Sequence, residues 1–164
     1  MVDQNSVRQL SLQVIVVGVD FSPSSEKALE EAFQLVMAPE ASIHLVHVAS
    51  GTATDLVLDM LDGERRLNFD EAERHLAGYG RSRAAAAGFP TARVHAHVRL
   101  GAPAQELVEL ASLLDADLVV VGTHGRTGLG RLLVGSVAEA AVKKARCPVL
   151  VVREKSHPAA GAAA

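Results

Sequence analysis

The chain has 164 residues, 49% hydrophobic and 21% charged, which suits one domain with a packed core and excludes a mainly disordered or low-complexity chain. Sixteen basic residues against nineteen acidic ones leave a net charge of −3, so the overall footprint of a nucleic-acid binder is missing. A single cysteine, Cys147, excludes an internal disulfide, and its apolar neighbours suggest buried packing.

The two ends read as flexible: residues 1–11 are polar and aperiodic, and 154–164 close on SHPAAGAAA with no amphipathic pattern. One domain is expected over 12–153. The opening MVDQNSVRQLSLQ lacks the apolar stretch of a signal peptide. No uncharged apolar run reaches the roughly 18 residues of a spanning helix. The expectation is a cytoplasmic protein with no membrane partner.

The first apolar run, Val14–Val19, is β-branched throughout apart from Gly18. A strand that apolar has to be covered on both faces, as in a parallel sheet. Ser22 is placed to cap a helix and Pro23 to occupy its first position. That helix carries Ala28, Leu29, Ala32, Phe33 and Val36 at helical spacing and stops before Pro39. Ile43–Val48 reads as a second strand. The segment from Ala49 to about Glu64 is the only long irregular connection, expected as a lid or a mobile loop. Phe69, Ala72, Leu76, Tyr79, Arg83 and Ala86 then mark a long amphipathic helix whose stripe packs in the core.

Val94–Arg99 alternates strictly, with His95, His97 and Arg99 on its polar side, which suits an edge strand or a partly wet face. A helix opens at Pro103 with Leu107, Leu110, Ala111 and Leu114 as its stripe. Leu118–Val121 is the fourth strand, a glycine-rich loop spans Gly122–Gly130, and a helix follows over about Leu132–Lys144. Pro148–Val152 is the last strand. Alternating strands and helices with short connections imply right-handed crossovers and a five-stranded parallel α/β sandwich, helices on both faces.

Ligands of such sheets bind beyond the carboxyl ends of the strands. The richest loop there is Gly122-Thr123-His124-Gly125-Arg126-Thr127-Gly128-Leu129-Gly130-Arg131, leading into Gly135-Ser136 and a helix. Glycines let anion oxygens approach backbone N–H groups, and a helix N-terminus adds its positive end. Arg126 and Arg131 add charge beside it, so a nucleotide phosphate chain fits. The order of glycines matches neither a P-loop nor a dinucleotide fingerprint. His124 reads as a loop spacer. His44, His47, His95 and His97 read as surface or hydrogen-bonded residues, and no metal site is assigned.

Gly122-Thr123-His124-Gly125, nine residues, then Gly135-Ser136 resembles the nucleotide-binding signature of the ATP-binding branch of the universal stress protein family. Val17–Ser22, Leu45–Val48 and Cys147–Val152 extend the resemblance over about 12–153. It implies a Rossmann-like sheet of the adenine-nucleotide α-hydrolase type, strand order 3-2-1-4-5. It further implies ATP, or AMP or ADP in the same cradle, with or without Mg2+. Val19, Asp20 and Val48 match the family's base and ribose contacts. Gly122, Gly125, Gly135 and Ser136 match its phosphate contacts, flanked by Val121, Arg126 and Val137. Ala138 stands where many relatives carry a hydroxyl, which puts one phosphate or metal contact in doubt. A homodimer through Pro148–Val152 and an unknown protein partner are implied as well.

The function implied is a nucleotide-dependent regulator of stress adaptation. No catalytic residue is assigned, so at most slow ATP hydrolysis is expected. The alternatives are an interaction module without nucleotide, or a weak ATPase or phosphotransferase using His124 or Asp20. A phosphoacceptor receiver lacks its acidic cluster and lysine here, and five aromatic residues offer little to stack on a flavin.

Overall fold

The structure, a computed structural model, describes residues 12–36, 38–52, 55–60, 63–123 and 135–153. Five strands form a parallel sheet: β1 (Val14–Gly18), β2 (Ser42–Thr52), β5 (Val94–Leu100), β6 (Leu118–Gly122) and β7 (Val149–Val152). Their spatial order is β5-β2-β1-β6-β7, which is 3-2-1-4-5 in order of appearance. In register, Ile15 lies beside Ile43 on one flank and Leu118 on the other.

Helices α1 (Pro23–Leu35) and α2 (Phe69–Ala86) cover one face, and α3 (Pro103–Leu113) and α4 (Ser136–Lys144) the other. The core is therefore double. Ile15 and Val17 pack with Leu29, Phe33, Leu45 and Leu76 on the first face. Val16, Val46 and Val119 pack with Leu107, Leu110 and Ala141 on the second. Burial on both faces explains the unbroken apolar composition of β1 and β6.

Local signals set the helix ends. The Ser22 side chain accepts from Ser25 N at 3.2 Å with Pro23 in the first position, as expected from the sequence. Asn68 and Glu71 form a reciprocal capping box at the start of α2. The Asp117 carboxylate accepts from Gln13 N and Val14 N at 2.8 and 2.9 Å, tying the start of β1 to the start of β6. A three-residue 3₁₀ turn at Thr91–Arg93 leads into β5, where Arg93 Nη1 donates to the carbonyls of Ala38, Pro39 and Ala41.

One expectation is overturned. The stretch from Ala49 to Glu64 is not an irregular lid. β2 runs on to Thr52, and its end pairs antiparallel with β3 (Asp55–Met60), which pairs antiparallel with β4 (Gly63–Leu67). The signals behind it are the short apolar run Leu56-Val57-Leu58 between Asp55 and Asp59 and the register in which Met60 pairs with Gly63 across a two-residue connection. Smaller differences fall at ends: α4 begins at Ser136, β6 includes Gly122, and β7 starts one residue after Pro148. The expected flexible termini, 1–11 and 154–164, lie outside the described residues, as does the loop 124–134.

Candidate functional site

β1 and β6 are neighbours, but the chain leaves them toward opposite faces of the sheet, α1 after β1 and α4 after β6. A crevice opens at their carboxyl ends, where the winding reverses. A cleft of about 250 Å³ occupies it. Val19, Asp20, Val48, Val121, Gly122, Gly135, Ser136 and Val137 all line this cleft. They come from four separated stretches of sequence, and the sheet order brings them together. Gly125 and Arg126 lie outside the described residues.

The β1 end is held tightly. Val19 N donates to Val46 O at 2.9 Å, and Val19 O lies 2.7 Å from Nδ1 of the buried His47. Nδ1 therefore carries the proton and donates. Asp20 Oδ1 accepts from Ser22 N at 3.0 Å and from Ser22 Oγ at 2.5 Å, so one carboxylate oxygen is committed to the turn. Phe21 adopts φ 58°, a left-handed conformation unusual for a side chain of this size. Its ring packs among His47, His75 and Tyr79 at 5.0, 5.9 and 5.2 Å between centroids, which offsets that strain.

On the β6 side, Gly122 leaves no room for a side chain. A Cβ there would sit 2.1 Å from Ser24 Oγ and 2.7 Å from the Ser24 carbonyl carbon. The closeness of α1 thus demands glycine regardless of any ligand. Gly135 N donates to Thr123 O at 2.6 Å, closing the long loop at its neck. Gly135 caps α4 without a side-chain hydrogen bond, so the first turn of α4 meets the cleft with its backbone. α1, α3 and α4 each contribute first-turn residues to the lining, namely Ser25, Pro103 and Ser136. Three positive helix ends converge on a wall whose one formally charged described residue is Asp20.

Several lining residues escaped the sequence reading: Gly18, Ser25, Val46, His47, Pro103 and Leu107, while Ala138, noted there for its missing hydroxyl, does line the cleft. His47 could have been found from the period of β2, since it alternates with His44 and must face the other side of the sheet. Pro103 and Leu107 follow from the position of α3 at a carboxyl end of the sheet. Among the described residues, no three His, Cys, Asp or Glu side chains are grouped to hold a metal ion. No described helix is long and apolar enough to cross a membrane.

The comparisons with known proteins agree with this architecture. The family model described as universal stress protein family matches residues 11–153. A universal stress protein of Methanocaldococcus jannaschii is 31% identical over 149 residues, covering 85% of this chain and 81% of the relative. One from Mycobacterium tuberculosis is 37% identical over 147 residues, covering 88% of this chain but only 45% of the relative, so the chain spans about half of that protein. A crystal structure of a universal stress protein in complex with cAMP superposes with a TM-score of 0.62 at 29% identity, covering 87% of this chain and 97% of that one. With 143 of its positions matched by the family model and the 3-2-1-4-5 sheet in place, the chain belongs to the universal stress protein family.

Proposed function

We propose that the cleft binds an adenine nucleotide, ATP foremost and AMP or ADP in the same place. In this reading the protein acts as a nucleotide-dependent regulator in stress adaptation, with at most slow hydrolysis. The observation that carries the reading is the convergence of Val19, Asp20 and Val48 with Gly122, Gly135 and Ser136 on one cleft at the reversal point of the sheet. The cAMP complex of a 29% identical relative supports the ligand class.

The chemistry fits piece by piece. Val19, Val48, Leu107 and Val121 are apolar walls for a purine. The Asp20 oxygen not used in the turn accepts from ribose hydroxyls. The volume of about 250 Å³ takes a base and sugar, and phosphates extend along Gly122 and the N-terminus of α4, with Gly125 and Arg126 assigned to them by the signature alone. For Mg2+ the described lining offers one carboxylate, Asp20, so the ion would be held mainly by phosphate oxygens. His47 has its Nδ1 proton committed to Val19 O, which makes it a poor general base at that nitrogen.

We place the protein in the cytoplasm as a homodimer joined through β7, with a further protein partner reading the nucleotide state. β7 is an edge strand whose Val149, Leu150 and Val151 are only half-buried. Val151→Lys should shift the protein toward monomer in sedimentation velocity.

Calorimetric titration of nucleotide-free protein tests the binding claim. Saturable 1:1 binding of ATP is expected, with a preference of about tenfold over 2′,3′-dideoxy-ATP from the lost hydroxyl contacts. Asp20→Asn should erase most of that preference. A folded protein that gives no signal at millimolar ATP would overturn the reading.

A further inference from the structure

β5 has one neighbour, β2, among the described strands, and the face it turns toward α3 carries His95, His97 and Arg99. His44 of β2 lies on that same face, in register with His95. His44 Nδ1 and His97 Nε2 are 3.0 Å apart. Their ring centroids are 5.3 Å apart and their planes differ by 19°. Nearly parallel rings at that spacing, with a nitrogen of each in hydrogen-bond contact, lie end to end rather than one over the other. His95 does lie over His44, at 4.6 Å and 24°. Ser42 Oγ closes the far side, 3.1 Å from His44 Nε2.

An end-to-end imidazole pair shares one proton between its facing nitrogens, one ring donating and the other accepting. A proton added to the outer nitrogen of the donor ring leaves that bond intact. When both facing nitrogens carry protons, two N–H groups point at each other and the bond is lost. The same aim is wrong for a metal ion, which needs lone pairs converging on a shared vertex.

We propose that His44 and His97, with His95 over them, form an acid-sensitive latch that holds the edge strand β5 on β2 while one facing nitrogen is bare and releases it when both are protonated. The surroundings resist protonation of either ring. Burial, then His95 and His97, lower the His44 pKa to about 4. Burial, then Arg99 and His95, lower that of His97. The other groups on this face are Ser42 on β2, Val14 and Val16 on β1, and α3, whose acidic residues are Glu106 and Glu109. No carboxylate is among the influences on either ring.

The sign follows from linkage. A histidine whose folded-state pKa lies below the unfolded value of about 6.5 leaves stability whole above that pH. Stability then falls as pH drops toward about 4 and levels off below. Between pH 7.5 and 5.0 a full shift to about 4 lowers the folding equilibrium constant roughly thirtyfold, and partial exposure reduces this to roughly tenfold.

Urea unfolding of the full chain at pH 7.5 and 5.0 tests the latch against the double variant His44→Gln/His97→Gln. That variant keeps an amide hydrogen bond without a titrating proton. The wild type should lose about ten times more of its folding equilibrium constant over this interval than the variant. If the variant fails to fold, NMR titration of the wild-type imidazoles decides: His44 and His97 should titrate well below 6.5, in coupled steps. Equal pH dependence in the two proteins, or two rings that titrate independently near 6.5, would overturn the proposal.

Discussion

Gly78 and Gly80 stand two positions apart in α2 and face different surroundings. A Cβ on Gly78 meets nothing within 4 Å, whereas one on Gly80 would lie 2.3 Å from Leu45 Cδ1 and 3.0 Å from Val94 Cγ1. Gly78→Ala should therefore stabilise the protein by about 0.5–1 kcal/mol through helix propensity alone. Gly80→Ala gains the same propensity but forces α2 away from β2 and β5, a net loss of about 1–2 kcal/mol. Urea midpoints of the two variants should move in opposite directions. Gly122 teaches the same lesson at the cleft. Its place in a glycine-rich signature is readable from spacing, but its contact with Ser24 is not, because Ser24 lies almost a hundred residues away. The cleft residues legible in the sequence were those on strand ends and in the signature. His47 was read only as a surface or hydrogen-bonded residue: the period of β2 gives its face, but nothing in an apolar strand says which backbone oxygen its ring will meet.

Elements were legible where period and caps agreed. Ser22-Pro23 opens α1, and the apolar spacing of α2 runs through its buried Ala72, Leu76 and Ala84. Asn68→Ala removes half of the capping box and should cost about 1 kcal/mol in urea unfolding, with little change at the distant cleft. The β3–β4 hairpin escaped because its charged second strand, Gly63-Glu64-Arg65-Arg66-Leu67, has little of the β-branched content that marked the parallel strands. Antiparallel strands outside the covered sheet need no apolar run on both faces, so a search tuned to buried strands passes over them. The polar alternation of β5 left an edge strand or a partly wet face open, and the structure places that strand at the end of the parallel sheet.

The whole molecule follows from the alternation of strands and helices, which by itself specifies a parallel sandwich but leaves strand order open. The order 3-2-1-4-5 came with the family resemblance, and the pairing of β1 with both β2 and β6 agrees with it. That central position of β1 has a consequence for biosynthesis. One flank finds its neighbour soon after it leaves the ribosome, since Ile15 pairs with Ile43. The other flank waits for Leu118, so most of the polypeptide must be translated before the middle of the sheet can close. During that wait the open side of Ile15-Val16-Val17 is a sticky β-edge on a nascent chain, the kind of surface that chaperones shield.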